Sequence, residues 1–129
     1  MSTVLIIERD NRAMRLLAWG MREAGHFVVT SVGADELVIG NRLEPDVIVF
    51  NTGMPMDVKR LWVSSLRYIV PDVDVIDLSP TGHIPTYDTG ADGYLEAPYR
   101  VDALVHLMEE LRVRRATVTS ARQSSEALS

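Results

Sequence analysis

Short, predominantly apolar runs recur along the chain and alternate with stretches of helical periodicity. The runs cover residues 4–7, 27–30, 47–50, 73–76 and 93–95, and the helical patterns cover residues 12–24, 34–42, 57–69 and 100–115. Continuous apolar runs are typical of strands that are covered on both faces. Strands that alternate with helices indicate βαβ units and a parallel sheet. We therefore predict an α/β fold, a flavodoxin-like (βα)5 doubly wound sandwich with strand order 2-1-3-4-5.

The unit between the fourth and fifth strands departs from this pattern. Residues 79–90 contain Pro80, Gly82 and Pro85. Proline lacks the backbone N–H and glycine loses much conformational entropy, so both oppose a helix. The segment also offers few apolar residues with which a helix can dock on the sheet. We predict a fourth helix that is shortened or absent and is replaced by a loop that contains about one helical turn.

Composition narrows the class of protein. With 129 residues, 47% of them hydrophobic and 24% charged, the chain fits one globular domain. The net charge of −5 argues against a protein whose whole surface binds nucleic acid, although it is compatible with a local basic patch. The absence of cysteine excludes disulfides and thiolate chemistry, and the three histidines lack metal-ligand spacing. No apolar run reaches the roughly 20 residues of a membrane span and the chain opens directly into a strand, so we expect a cytoplasmic protein without membrane contact.

The last residues differ in composition from the rest. From Ala116 onward the chain is rich in Ser, Thr, Ala and Gln and has no apolar stripe. Such a segment buries too little apolar surface to offset the entropy lost on ordering. The predicted division is a folded domain over residues 1–115 and a disordered tail over residues 116–129.

The third predicted strand ends on a polar residue, Asn51. In open parallel α/β sheets, ligands and chemistry gather at the carboxyl ends of the strands. A carboxylate at such a position can act as a nucleophile and accept a phosphoryl group. The amide of Asn51 is uncharged and its lone pair is delocalised. The chain therefore has the scaffold for such a site without its central reactive group.

Residues 3–113 resemble the receiver domain of two-component response regulators. The strand that ends at Asn51, followed by Met54 and Pro55, is similar to the phosphoacceptor strand and its turn. Ser79 ends the fourth strand, where the family places a switch hydroxyl. The resemblance implies the (βα)5 fold and a role in phosphorelay signal transduction.

Two further segments carry the resemblance. Glu8, Arg9 and Asp10 follow the first strand, where the family has an acidic cluster that binds magnesium. Residues 90–99, GADGYLEAPY, are similar to the family's fifth-strand signature, in which a lysine precedes the proline. In this chain the lysine position holds Ala97.

At three of the five site positions of the family, this chain therefore has a residue without the reactive or charged group that the family uses there. Asn51 replaces the phosphoacceptor aspartate, Ala97 replaces the lysine, and Arg9 replaces one member of the acidic pair. Magnesium prefers hard, usually anionic oxygen ligands at about 2.1 Å, and Glu8 beside a guanidinium and an amide is a poor site for it. Without metal and lysine, nothing neutralises the charge of an arriving phosphoryl group. We predict weak or absent magnesium binding, no catalytic residue and no cofactor.

Arg9 suggests a replacement for the metal. Our hypothesis is that Glu8, Arg9 and Asn51 form a fixed, metal-free network; the alternative is that Arg9 points to solvent and the pocket has decayed. Ser79 is interpreted as a cap of the following turn. Asp57 is interpreted as an acidic residue that stabilises the N-terminus of the third helix.

Aromatic residues supply candidate interaction surfaces on the first helix and on the face from the fourth strand to the last helix. Tyr94 matches an aromatic switch position of the family, and Pro98 and Tyr99 follow it. Trp62 is expected in or at the core. Trp19 lies off the apolar stripe of the first helix, so it is a candidate for exposure and for an interface, where aromatic residues are enriched.

Several functions are compatible with these features. The first is a pseudo-receiver, a stand-alone response regulator that binds signalling proteins such as a histidine kinase or another regulator without being phosphorylated. A small-ligand or anion-binding flavodoxin-like module is the alternative, with Arg9 holding the anion, although no Gly-rich loop follows the first strand. A phosphotransfer enzyme that uses another acceptor and a structural subunit of a larger assembly are the remaining hypotheses. Family likeness also makes a homodimer through the first or last helix plausible.

Overall fold

The computed structural model describes residues 2–8, 11–31, 44–51, 55–79, 89–96 and 99–128. Five strands and three helices lie in these ranges. The strands are β1 (Thr3–Glu8), β2 (Phe27–Ser31), β3 (Val47–Asn51), β4 (Asp74–Ser79) and β5 (Gly93–Glu96). The helices are α1 (Asn11–Glu23), α2 (Met56–Ile69) and α3 (Val101–Leu128). The predicted helix at residues 34–42 lies outside the described residues. So do residues 80–88, which make up most of the segment in which we expect a shortened or absent fourth helix.

The strands form one parallel sheet of order β2-β1-β3-β4-β5. This confirms the predicted α/β fold class and strand order. The central strands are buried on both faces, as their continuous apolar runs indicate: Val4, Leu5 and Ile6 are all 0% exposed. The sheet reverses its winding between β1 and β3, which places the crevice of the fold at the carboxyl ends of these two strands.

Helices cover both faces of the sheet. On one face α1 and α3 bury a cluster with the sheet residues Val4, Ile6, Val47, Val49, Ile76 and Leu78. On the other face α2 contributes Trp62, Val63 and Leu66 to a cluster with Leu5, Ile7, Ile48, Phe50 and Val75. Trp62 is 9% exposed and Trp19 is 65% exposed. Both tryptophans therefore lie as their positions relative to the apolar stripes predict.

Glycine ends α1 as the sequence predicts. Gly25 has a positive φ of 93°, a conformation that glycine adopts without steric cost. The N–H of Gly25 donates to the carbonyl of Arg22, and the N–H of His26 donates to that of Met21. This pair of hydrogen bonds is a Schellman motif, which satisfies carbonyl groups left open at a helix C-terminus.

Ion pairs fasten two helices to the amino-terminal edge of the sheet. Arg115 of α3 contacts the carboxylate of Asp74, the first residue of β4, at 2.5 Å. Arg67 of α2 lies 2.9 Å from Asp92 and also donates to the carbonyl of Gly90. Each guanidinium thus connects a helix to a strand or to the turn before it.

The last helix is longer than the sequence predicts. The structure continues α3 from Val101 to Leu128, whereas we expected a helix to about residue 115 and then a disordered tail. Residues 116–128 contain no glycine or proline, and adding residues to a formed helix costs far less than nucleating one. The contact of Arg115 with Asp74 provides that formed and anchored helix. The boundary at residue 115 between a folded domain and a tail stays a prediction.

None of the helices in the described ranges combines the length and the apolar character needed to span a membrane.

Candidate functional site at the carboxyl edge of the sheet

Polar residues meet where four parallel strands end. Glu8 at the end of β1 is the register partner of Asn51 at the end of β3. Ser79 at the end of β4 is the register partner of Glu96 at the end of β5. Parallel pairing places these ends at one edge of the sheet. The backbone therefore brings together the positions from which the sequence predicts the degenerate phosphorylation pocket.

Other parts of the predicted pocket lie outside the described residues. These are Arg9, Asp10 and Ala97, and Pro98 of the predicted interaction surface also lies outside the described residues. Glu8, Asn51 and Ser79 are described through their backbone. The network of Glu8, Arg9 and Asn51 therefore stays a hypothesis. Among the residues that the structure describes, no group of three or more His, Cys, Asp or Glu side chains is arranged to hold a metal ion.

A buried ion pair lies one layer inside this edge. Lys59 of α2 reaches Asp77 of β4, with Nζ 3.2 Å from Oδ1. Asp77 is 1% exposed and Lys59 is 9% exposed. The ammonium also lies 5.7 Å from the ring centroid of Phe50, within reach of a cation–π interaction. The pair thus joins α2 to the centre of the sheet directly behind the strand end that carries Asn51.

The second oxygen of the Asp77 carboxylate extends this contact toward β5. The hydroxyl of Thr89 lies 3.2 Å from Asp77 Oδ2 and 3.3 Å from the phenol oxygen of Tyr94. Tyr94 is the register partner of Asp77 across the β4–β5 ladder. Lys59, Asp77, Thr89 and Tyr94 therefore form one polar chain, here called the buried polar chain, from α2 to the edge strand.

The surroundings of Asp77 determine its protonation behaviour. Burial raises the pKa of Asp77 above its ordinary value, and the charge of Lys59 and the hydrogen bonds from Lys59 and Thr89 offset part of that increase. The raised pKa means that the cost of burying this carboxylate in its charged form is only partly offset by its partners. Burying the charged carboxylate of Asp77 is unfavourable by itself, so its contacts with Lys59 and Thr89 keep it in the interior.

We expect the contribution of Asp77 to the free energy of unfolding to fall as the pH rises. Because the folded pKa lies above 3.8, the unfolded chain loses this proton first, and stability that is fully present below 3.8 is lost as the pH passes through the raised folded value. The Asp77→Asn variant lacks this titration. Urea unfolding of both proteins across acidic pH measures the difference, which should change through this window and level off above it. A difference that does not vary with pH would contradict the raised pKa.

Sequence reasoning missed Lys59 and Asp77, although both leave a signal. Asp77 is a charged residue inside the apolar strand that runs to Leu78. Lys59 lies on the same face of α2 as Trp62, Val63 and Leu66, at helical spacing. A charge on the buried face of one element requires a partner of opposite charge on another, because an unpaired buried charge is costly. That rule predicts a cationic partner for Asp77 but does not identify it, because Asp74 of the same strand is also buried and pairs with Arg115.

The structure separates the predicted interaction residues. Tyr94 lies on the α2 side of the sheet, through its contact with Thr89. Trp19 is exposed on α1, which covers the other face. Tyr99 is half-buried and packs against the α1–α3 core cluster. Trp19 and Tyr94 therefore belong to two different surfaces.

The chain matches no protein-family model and no curated protein sequence. Its structure is nevertheless similar to solved structures, among them a putative response regulator and a chemotaxis protein. NtrX from Brucella abortus in complex with ATP superimposes with a TM-score of 0.76 at 20% identity, over 92% of this chain and 29% of that one. A putative response regulator from Chloroflexus aurantiacus gives a TM-score of 0.70 at 21% identity, over 84% and 95% of the two chains.

The chemotaxis protein CheY4 of Vibrio cholerae is a third neighbour, with a TM-score of 0.69 at 20% identity, over 85% of this chain and 98% of that one. The present chain thus spans less than a third of NtrX but nearly the whole length of the two smaller proteins. At such identities the likeness concerns the backbone. The chain has the fold of a response regulator receiver domain.

Proposed function

We propose that this protein is an atypical response regulator in two-component or phosphorelay signal transduction. It acts by binding other signalling proteins without accepting a phosphoryl group, and it is not an enzyme. The observation that carries the proposal is the position of Asn51, at the carboxyl end of β3 and in register with Glu8. In a receiver fold this strand end lies at the crevice where chemistry is expected. An amide there cannot attack phosphorus as a carboxylate does.

The buried polar chain supports a module with one preferred arrangement. A phosphorylation switch needs two states of similar free energy that the modification can exchange. Here Lys59 and Asp77 join α2 to β4, and Thr89 continues the contacts to Tyr94. Separating the buried charges leaves each without its partner, which is costly in a low-dielectric interior. The arrangement of α2, β4 and β5 is therefore maintained without a bound phosphoryl group.

The edge formed by β5 is the proposed surface for a signalling partner. β5 ends the sheet and pairs with β4 on one side. Tyr94 and Tyr99 lie on and after this strand, and both are half-buried, so each exposes part of its side chain at this edge. A histidine kinase or another regulator is the class of partner that fits this role.

Incubation with acetyl phosphate and magnesium is expected to leave the mass of the intact protein unchanged. The reason is the missing nucleophile at Asn51 and the missing lysine at Ala97. The triple variant Arg9→Asp/Asn51→Asp/Ala97→Lys restores carboxylate, acidic pair and lysine, and it is expected to gain one phosphoryl group and magnesium binding. The single variant Asn51→Asp is the matched control and should gain neither, because groups of this kind act as a unit.

Either of two results would contradict the proposal. A phosphoryl adduct on the wild-type protein would show that another residue accepts the group. Magnesium-dependent phosphorylation of Asn51→Asp alone would show that the rest of the pocket has kept its chemistry. Intact-mass spectrometry followed by peptide mapping distinguishes the two, since the mapped residue differs.

A further inference from the structure

A cavity of about 460 Å³ lies at the amino-terminal edge of the sheet, opposite to the edge that carries the phosphorylation pocket. One wall is a single face of α3, whose lining residues recur at helical spacing: Leu111, Arg114, Arg115 and Val118. The remaining lining residues are acidic and lie at or before the starts of β4 and β5: Asp72, Asp74 and Asp92. Binding pockets for small molecules have volumes of about 300–1,000 Å³, so the cavity is large enough for one.

Asp74 is a buried carboxylate that uses only one of its two oxygens within the described part of the chain. Its exposure is 8%. Both contacts from Arg115, through Nε at 3.1 Å and through a terminal guanidinium nitrogen, reach Oδ1. Among the described residues, no donor contacts Oδ2. A buried carboxylate oxygen without a donor is costly. Because Asp74 lines the cavity, a hydrogen-bond donor bound there can supply the missing contact.

Asp72 and Arg114 bring one further charge of each sign to the cavity. Both are exposed, and neither side chain forms a hydrogen bond or an ion pair with another residue of the described ranges. The hydrogen bond with Asp74 raises the pKa of Arg115, and the charge of Asp72 adds to the increase. Asp72 therefore lies close enough to act on the same guanidinium as Asp74. The carboxylate of Asp72 and the guanidinium of Arg114 are thus both available to a ligand.

The charges around the cavity favour a ligand that is itself zwitterionic. A simple anion would meet the carboxylates of Asp72 and Asp74, and a simple cation would lie beside the guanidinium of Arg114. An ammonium group suits the carboxylate oxygens, and a carboxylate suits the planar donors of a guanidinium. Leu111 and Val118, at 4% and 47% exposure, add apolar surface between these charges. A metal ion fits less well, because the described carboxylates include no group of three arranged to hold one.

We propose that this cavity binds a free amino acid with an apolar side chain. The ammonium group of the ligand donates to Asp72 and to the open oxygen of Asp74, and its carboxylate accepts from Arg114. The side chain of the ligand packs against Leu111 and Val118. The site lies at the opposite edge of the sheet from the phosphorylation pocket, so this inference goes beyond the proposed signalling role and does not depend on it.

Titration of the full chain with L-leucine, followed through the backbone amide signals in two-dimensional NMR, tests the site. Leucine is expected to bind with a Kd between micromolar and millimolar and to shift the signals of Asp72, Asp92 and residues 111–118. Two analogues of leucine separate its charges: 3-methylbutylamine lacks the carboxylate, and 4-methylpentanoate lacks the ammonium group. Each analogue is expected to bind at least about tenfold more weakly than leucine, because it loses one charge-assisted set of hydrogen bonds.

Asp72→Asn and Arg114→Gln are each expected to weaken leucine binding by at least about tenfold. The matched controls are Asp102→Asn and Arg112→Gln, which remove the same charges from exposed positions of α3 outside the cavity and should leave the Kd within about twofold. Circular dichroism of each variant verifies the fold. Three results would overturn the proposal: no binding of leucine, isoleucine, valine or methionine at about 10 mM, an analogue that binds as well as leucine, or shifts centred on Asn51 instead of the cavity.

Discussion

Replacing Lys59 by methionine is expected to lower the free energy of unfolding by about 3–5 kcal/mol, because it leaves the carboxylate of Asp77 buried without its cation. Methionine retains most of the length and volume of the lysine stem, so the loss reflects charge rather than a cavity. Asp77 is 1% exposed, which leaves its charge little access to water. Urea unfolding followed by circular dichroism at neutral pH measures the change.

The double variant Lys59→Met/Asp77→Leu distinguishes the net contribution of the ion pair to stability from the cost of leaving one buried charge without its partner. Replacing both charges by apolar groups of similar size removes the desolvation penalty together with the attraction, so stability should return near the wild-type value or exceed it. The exposed pair of Arg100 and Asp102 is the control, with both side chains more than two-thirds exposed. Asp102→Asn should lower stability by at most about 1 kcal/mol, because the pair is exposed and the carboxylate contributes only modestly at the first turn of α3. A double variant no more stable than Lys59→Met would mean that the pair contributes much more than its geometry implies.

The Lys59→Met deficit should also shrink in acid. Burial already raises the pKa of Asp77, and Lys59 is one of the groups that limit this rise. Without Lys59 the carboxylate is protonated at a higher pH, and the protonated form is less costly to bury. A deficit of the same size at neutral and acidic pH would point to lost packing of the lysine stem instead.

Replacing Phe50 by alanine is expected to cost about 3–5 kcal/mol, the range for a large aromatic side chain removed from a packed core. Phe50 is 0% exposed and its ring centroid lies 4.6 Å from that of Trp62, at an interplanar angle of 51°. The ring also lies under the ammonium of Lys59. In the chain, Phe50 immediately precedes Asn51. Its loss opens a cavity between β3 and α2, behind the carboxyl edge of the sheet.

The other phenylalanine of the chain is the matched control. Phe27 is 54% exposed on β2, so Phe27→Ala should cost far less than Phe50→Ala. In a Trp19→Phe background, the fluorescence of Trp62 reports on the Phe50 site, and its emission should shift only in the Phe50 variant. Equal losses of stability in the two alanine variants would contradict the packing described for α2 and β3.

The fold itself was largely predictable. Val4 through Ile7 and Val47 through Phe50 are apolar at every position, and only a strand between two helical layers buries both of its faces in this way. The apolar stripe of α1 gave the orientation of that helix and left Trp19 outside it. The Schellman turn at Gly25 was visible as a glycine at the end of a helical pattern. These are local patterns, and the chain follows them.

The site was predictable in position but not in its interior contacts. The register of β1 with β3 places Glu8 beside Asn51, as the parallel fold implies. Lys59 and Asp77 are 18 residues apart on different elements, and nothing local relates them. The length of α3 was likewise missed, because composition describes the unanchored chain, whereas the contact of Arg115 with Asp74 anchors the helix from which residues 116–128 continue.

Local patterns along the chain are sufficient for the alternation of strands and helices, the buried side of each element, and the lack of a carboxylate at Asn51. Each of these depends on residue type and on spacing along the chain. Packing between distant elements fixes which charges share the interior and which strand ends meet. These depend on distances between elements far apart in the chain, which are settled only when both helical layers pack on the twisted sheet.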